Sequence, residues 1–328
     1  QNPTMGEEWR RGWHPERIEA KKSDDGVLIV GGGPSGLECA LALGQRGYRV
    51  ILAEASAELG GRVSRESRLP GLAEWGRVRD YRVHLLERLE NVSIYRENPL
   101  SGEDIFQFSA KDQFDYSHVL LATGATWRRN GMGRMHREDI PGLDKLSVFS
   151  PDDIMDGISV QGRVVVFDDD HFYMGGVIAE KLRREGHEVS LVTPAPDVST
   201  WTHKTLEQKK IQKHLIELGV ELVTQTDLAA VHSGMIELSC VFTDNLTQSA
   251  CESLILVTER IPNVDLFHGL DAEPERLSGV GIKTLRCIGD CYAPGTIAAA
   301  VHSGHLAARE LQSAPQEEVP FLRERIQL

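Results

Sequence analysis

The sequence predicts an α/β chain of two Rossmann-like nucleotide-binding domains, the second inserted into the first. Three observations predict it. A G-x-G-x-x-G turn, Gly31-Gly32-Gly33-Pro34-Ser35-Gly36, lies between an apolar run and a helical pattern. An acid, Glu54, closes the next apolar run. A second strand–helix–strand pattern spans residues 164–192, and the apolar run at 285–288 then repeats the style of the first domain's strands. The boundaries that follow are an N-terminal arm at 1–24, a first domain at 25–130 plus 284–328, and a second domain at 131–283.

The elements follow in order. Residues 1–24 are polar, rich in Arg, Trp and Glu, and without a clean period, so they read as an arm packed on something else. Val27-Leu28-Ile29-Val30 is a short buried strand. Leu37, Ala40, Leu41 and Leu43 recur at helical spacing over residues 34–46, with Pro34 in the first turn and Gly47 as the stop. Val50-Ile51-Leu52 is the next strand. Val119-Leu120-Leu121-Ala122 is another, ending at Thr123-Gly124, and residues 127–141 read as a crossing loop. The second unit opens with a strand at 164–167, a helix at 176–185 and a strand at 189–192. A helix at 206–218 and strand-like pieces at 220–223, 235–242 and 253–257 complete it. A strand at 285–288 and a helix at 296–311 close the chain.

The glycines of the first turn have separate tasks. Gly31 permits the turn, Gly33 lets the backbone approach a pyrophosphate, and Gly36 lets helix and strand pack closely. Pro34 and Ser35 open the helix, whose free N–H groups face the phosphates. Glu54, followed by Ala55, stands where an acid bonds a ribose 2′-OH, and a 2′-phosphate would meet repulsion there. Thr123 and Gly124 end a buried strand, where a glycine either admits a nucleotide or simply turns the chain. Gly60, Gly61 and Arg62 resemble the glycine pair and arginine that reach the pyrophosphate in flavoprotein Rossmann domains; the alternative is a surface turn with a solvated Arg62. Gly289-Asp290 resembles the flavin fingerprint whose acid bonds the ribityl chain; otherwise Asp290 is an acid near a helix dipole.

The second unit lacks both halves of that fingerprint. Asp168-Asp169-Asp170-His171 replaces the glycines, and Thr193-Pro194 replaces the strand-end acid. Carboxylates would repel a pyrophosphate. They read as caps on the following helix, in a domain that keeps its fold and has lost its cofactor. The five cysteines contain no C-x-x-C pair, as a flavin disulfide reductase would need. Cys287 and Cys291 read as small buried residues. His14, His302 and His305 have no carboxylate partner placed by sequence and read as packed or exposed. No metal-ligand set is present.

Of the 328 residues 41% are hydrophobic and 26% charged, as in an ordinary globular chain. The net charge of −13 excludes nucleic acid and anionic membrane surfaces as partners. No run is apolar enough to span a bilayer, none reads as a signal peptide, and scattered cysteines fit a reducing cytoplasm. The chain opens on Gln1 rather than Met and reads as a piece of a longer polypeptide.

The opening Gln1-Asn2-Pro3-Thr4, with Gly6-Glu7-Glu8-Trp9-Arg10-Arg11-Gly12-Trp13-His14-Pro15-Glu16, resembles the segment after the last cluster cysteine in the trimethylamine dehydrogenase and histamine dehydrogenase family, relatives of 2,4-dienoyl-CoA reductase. Leu69-Pro70-Gly71-Leu72, Glu74-Trp75, Arg79-Asp80-Tyr81-Arg82, Ala179-Glu180-Lys181-Leu182 and Gly186-His187-Glu188-Val189 fit the same family. The resemblance implies a C-terminal half that holds ADP, or FAD, at Gly31, Gly33, Pro34, Ser35, Gly36, Glu54, Ala55, Gly61, Arg62, Thr123, Gly124 and Asp290. It implies an upstream β/α barrel with FMN and a 4Fe-4S cluster, amine oxidation, transfer to an electron-transfer flavoprotein or similar acceptor, and a homodimer. This piece alone is then not catalytic. The alternative is an FAD-dependent NAD(P)H oxidoreductase with an active flavin in this chain. Glu74 to Tyr81 reads as a surface excursion in which Arg77 and Arg79 meet the acceptor, or as a helix start with solvated charges.

Overall fold

The computed structural model describes residues 2–10, 12–110 and 116–312; Gln1 and Arg11 of the family-like opening lie outside them. The chain begins with β1 (Val27–Val30), α1 (Pro34–Arg46) and β2 (Val50–Ala53). The helix ends as its sequence requires: Gly47 takes a left-handed φ of 91° and returns its N–H to Gly44 and Leu43. Next come α2 (Arg62–Glu66), α3 (Arg77–Leu86), β3 (Val92–Tyr95), α4 (Gly102–Ala110) and β4 (His118–Leu121). The chain leaves along β5 (Ala125–Trp127) into β6 (Ser147–Phe149), α5 (Pro151–Met155), β7 (Val164–Asp168), α6 (Met174–Arg184), β8 (Val189–Val192), α7 (Gln208–Glu217) and β9 (Glu221–Val223). An antiparallel meander follows, β10 (Thr226–His232), β11 (Met235–Cys240) and β12 (Leu246–Ala250), and then β13 (Ser253–Val257). The return is β14 (Arg260–Pro262), paired with β5, then α8 (Asp265–Asp271), α9 (Pro274–Gly279), β15 (Thr284–Cys287) and α10 (Ile297–Glu310).

Two compact units result. One comprises 1–65, 74–125 and 262–328; the other comprises 66–73 and 126–261. The return therefore falls at Pro262, earlier than the 284 expected, because α8 and α9 pack with the first unit: Leu270 joins Leu28, Val30, Val119 and Leu121 in its core.

The first unit's sheet is parallel, in the order β15-β4-β1-β2-β3. Period-two alternation splits β1 between two cores. Val27 and Ile29 face Leu37 and Leu43 of α1, while Leu28 and Val30 face Ile105, Phe106 and Tyr116. Helices α1 and α10 touch along their backbones, since a Cβ on Gly304 would stand 2.1 Å from the Ser35 carbonyl oxygen. The second unit repeats the plan with β6-β13-β7-β8-β9, also parallel. The duplication inferred from sequence is thus a duplication of sheet order. The crossing loop, expected from 127, starts one residue later, because Trp127 ends strand β5.

The arm packs on α10. Trp13 lies between the guanidinium groups of Arg10 (5.0 Å) and Arg309 (4.6 Å) and against the rings of His302 and His305. His302 Nε2 stands 2.8 Å from Glu7, and His305 Nδ1 2.9 Å from buried Glu38, whose other oxygen receives Arg82 Nε at 2.6 Å. The two histidines therefore have carboxylate partners, supplied by residues more than 250 positions away. Residues 73–86 are helix rather than excursion. Arg82 within them is buried, and Arg79 is held by Glu58, Ser64 and Asp80. No described helix is long and apolar enough to cross a membrane. Among the described residues no group of three or more His, Cys, Asp or Glu is placed to hold a metal ion.

Candidate nucleotide site

The glycine turn is built for close approach. Gly31 has a φ of 109°, and a Cβ there would stand 2.3 Å from the Ala122 carbonyl oxygen. A Cβ on Gly36 would stand 1.9 Å from the Gly31 carbonyl oxygen, so only glycine lets α1 start against the strand. Gly33 differs: its Cβ would meet nothing within 4 Å and would enter open space. Gly33 is also the N-cap of α1, with no side-chain cap and no acid in the first turn. The helix's leading N–H groups therefore face that space with their positive dipole end. Ser35, 5% exposed, has a hydroxyl with no partner.

Other segments close on this turn. Gly60 donates its N–H to the Gly32 carbonyl at 2.8 Å, and a Cβ on Gly61 would stand 3.2 Å from Gly33 Cα. Glu54 accepts the Gly32 N–H at 2.6 Å with one oxygen, and Ser56 N–H and hydroxyl with the other. Ala55 is exposed at the lip beside it. Gly289 has a φ of 62°, and its Cβ would stand 2.5 Å from Ser35 Cβ. This brings Asp290 to the helix start, where Arg62 Nη1 bonds its carboxylate at 2.7 Å and the Gly295 carbonyl at 3.0 Å. Burial raises the Asp290 pKa, against the opposing pull of Arg62. Thr123 follows Ala122 directly; its hydroxyl donates to the Asn263 carbonyl at 2.7 Å, and Gly124 (φ 75°) faces open space.

Thus Gly31, Gly33, Pro34, Ser35, Gly36, Glu54, Gly61, Arg62, Thr123, Gly124 and Asp290 gather around one helix start. An orphan hydroxyl, uncapped N–H groups and a glycine whose Cβ direction is empty fit a pyrophosphate. Sequence reasoning gave Gly32 no task of its own and passed over Asn263, whose partner Thr123 lies 140 positions away. The glycine spacing at 60 and 289 was visible, but the positive φ values there and the contacts they make were not.

The corresponding turn of the second unit is filled. It runs from 169 to 173, against 31–33 in the first. Asp168 accepts the N–H groups of Asp170 (3.2 Å) and His171 (3.0 Å), and its carboxyl lies where a Cβ on Gly175 would come within 2.5 Å of its Oδ2. Asp169 accepts the N–H groups of Met135 and His136 and stands 2.9 Å from His171 Nε2, outside good hydrogen-bond alignment; His171 Nδ1 lies 3.3 Å from Thr193. The aspartates are not helix caps: Tyr173 is the N-cap of α6, and no side chain caps it. They brace the loop at 133–136 and the turn itself. Asp168 and Asp169 are fully buried. Burial lifts the Asp168 pKa to about 7, and Asp169 and Asp168 raise that of His171 against its desolvation.

A parallel sheet with a glycine-built first turn, interrupted by a second sheet of the same order, is a two-domain Rossmann-like fold, shared with Lactococcus lactis thioredoxin reductase at 17% identity and a TM-score of 0.59. Residues 29–96 match the NAD(P)-binding Rossmann-like domain, and residues 149–252 the OYE-like second alpha/beta domain. Dimethylamine dehydrogenase of Hyphomicrobium sp. (strain x) is 36% identical over 99% of this chain and 47% of its own length. The structure of histamine dehydrogenase from Rhizobium sp. 4-9 matches 100% of this chain and 50% of its own, with 44% identity and a TM-score of 0.94. That of 6-hydroxypseudooxynicotine amine oxidase from Pseudomonas geniculata N1 matches 95% and 46%, with 41% identity and a TM-score of 0.89. The chain belongs to the trimethylamine dehydrogenase and histamine dehydrogenase family. It spans about half the length of the relatives it matches.

Proposed function

We propose that this chain is the ADP-binding C-terminal half of an iron–sulfur flavoprotein amine dehydrogenase. The observation that carries the reading is the start of α1: Gly33 open to space, the Ser35 hydroxyl unpartnered, and no acid or cap in the first turn. The leading N–H groups of α1 bind the pyrophosphate, Ser35 adds a donor, and Glu54 accepts from the adenosine ribose. Arg62 favours ADP over FAD. Its ion pair with Asp290, backed by Gly295, engages the carboxylate that would otherwise meet a ribityl chain. FMN and a 4Fe-4S cluster in the preceding half would supply amine oxidation and single-electron transfer.

Extraction of the intact protein tests this. Acid release followed by mass spectrometry is expected to yield ADP at one per chain and no FAD. Released FAD would replace the reading with its rival, an NAD(P)H oxidoreductase with an active flavin here. NADH titration is the companion measurement. Buried Asp168 and Asp169 fill the second unit's turn, so no saturable NADH site is expected there; micromolar binding lost in Asp169→Ala would contradict it.

Electrons leave to an electron-transfer flavoprotein or similar acceptor, and the full protein is a cytoplasmic homodimer in this reading. Arg77 remains the docking candidate: its side chain is 80% exposed and among the described residues pairs only with exposed Glu74, whereas Arg79 is committed to its own unit. Arg77→Glu is expected to slow bimolecular reoxidation about threefold at low salt, with less effect at high salt. Amine reduction should not change. A rate unaffected by the substitution across a stopped-flow salt series would remove Arg77 from the interface.

A further inference from the structure

The first two turns of α1 face two ways. Toward the ligand they present uncapped N–H groups and the unpartnered hydroxyl of buried Ser35. On the other side they carry α10. A Cβ on Gly304 would stand 2.1 Å from the Ser35 carbonyl oxygen and 3.2 Å from the Cys39 nitrogen. The Ser303 hydroxyl accepts the N–H of Gly289, in the turn that packs on Ser35, at 2.9 Å. Glu38 lies three residues past Ser35, on the same helical face. Its carboxylate stands 2.9 Å from Nδ1 of His305 on α10 and receives Arg82 Nε at 2.6 Å. His305 in turn meets the arm. Its ring lies 5.4 Å from that of Trp13, and its Nε2 stands 2.8 Å from Glu16 Oε1, outside good hydrogen-bond alignment. Arg309 donates to Glu16 at 3.1 Å and to the Gly12 carbonyl at 2.9 Å. Among the described residues, the ion pairs and ring contacts that residues 7–16 make outside the arm fall on His302, His305 and Arg309, all of α10. Trp13, Glu38, Arg82 and His305 are buried. A single side chain, His305, therefore separates Glu38 of α1 from the arm.

We propose that the adenine nucleotide is a structural effector of the arm: its binding at α1 and the docking of residues 7–16 on α10 favour each other. The inference rests on the reading of the α1 start as the nucleotide site. An anion there occupies the leading N–H groups and the Ser35 hydroxyl and fixes the first turn. A fixed first turn holds Ser303 and Gly304 of α10 and, one turn further, keeps Glu38 against His305. Without the anion those groups have no partner, the first turn frays, and α10 loses part of what positions it under Trp13. The two arrangements, arm docked and arm loose, are thus biased through one pair of touching helices. Linkage makes the effect reciprocal: the factor by which the nucleotide favours arm docking is the factor by which the docked arm favours the nucleotide.

Amide exchange of the intact, nucleotide-free protein, with and without saturating ADP, tests this. The N–H groups of Trp13 and Arg17, bonded to the Arg10 and Gly12 carbonyls, report on the arm. They are expected to exchange at least ~5-fold more slowly with ADP, while those of β8 in the second unit keep their rates. Trp13→Ala removes the arm's central contact with α10. It is expected to weaken ADP binding, read by calorimetric titration, by a factor that matches the slowing. Met5→Ala, at an arm residue 74% exposed, is expected to leave the affinity unchanged. The linkage is overturned if ADP binds and the arm amides do not respond, or if β8 slows equally, which marks global stabilisation. It is overturned too if Trp13→Ala binds ADP like the unmutated protein. Failure of ADP to bind the unmutated protein would overturn the nucleotide reading itself, and the linkage with it.

Discussion

Gly33→Leu is expected to release the adenine nucleotide and leave the fold intact. Gly33 sits in extended backbone, with φ −74° and ψ −175°, which leucine adopts without strain. Its Cβ direction is empty for 4 Å, so the side chain fills the space a pyrophosphate needs and touches little protein. Nucleotide affinity should fall at least ~100-fold, or about 2.7 kcal/mol, in calorimetric titration of the nucleotide-free protein. The unfolding midpoint of that nucleotide-free form should move by no more than about 0.5 kcal/mol. Gly36→Ala is the contrast. A single methyl there would stand 1.9 Å from the Gly31 carbonyl oxygen, with backbone on both sides. It should cost about 3 kcal/mol of stability as well as the nucleotide. If Gly33→Leu binds normally, or melts like Gly36→Ala, the assignment of Gly33 to the ligand is wrong.

The second unit should lose stability as pH rises from about 4 to 7, and Asp168→Asn should remove much of that loss. The folded pKa of Asp168, about 7, lies above its ordinary value of 3.8. The folded state therefore holds the proton more tightly than the unfolded state. The contribution is fully present below the ordinary pKa and is lost as pH climbs through the folded one. His171, also raised, acts in the same direction: its contribution is present below 6.5 and is lost above. For Asp168 the swing is on the order of 2–4 kcal/mol. Asparagine keeps an oxygen for the N–H groups of Asp170 and His171 and cannot ionise. At about pH 8 it should stabilise β7 and β13 by about 1–3 kcal/mol, read from amide exchange, with little change at about pH 5. Asp25 of the first unit behaves oppositely. Its pKa is held near 2 by Lys283, so its contribution is lost only as pH falls below 3.8, a window separate from that of Asp168. An identical pH slope in Asp168→Asn and the unmutated protein would exclude Asp168 as its source.

Much of the first unit was legible because its signals are local. The strand at 27–30, the helix at 34–46, the glycine stop at 47 and the acid at 54 all lie within 30 residues, and each rests on backbone geometry that neighbouring residues dictate. The missing glycines at 168–170 were equally visible, but their use was misread. Side chains that look like helix caps in sequence are instead bound to N–H groups of the turn and of residues 135–136, which only the folded loop brings near. The meander at 226–250 escaped in part for a related reason. The exposed β12 has no apolar alternation of its own and is strand only because β11 lies beside it.

By itself, then, the sequence determined the βαβ plan, the place of the nucleotide turn and the family, because strand period, helix caps and glycine freedom are properties of short stretches. Tertiary structure alone decided which charges meet. Arg62 and Asp290 are 228 residues apart, His305 and Glu38 are 267 apart, and Thr123 and Cys291 are 168 apart. No periodicity records such pairs. They form because a parallel sheet gathers the carboxyl ends of distant strands at one edge, where buried polar groups must find partners among whatever the topology delivers.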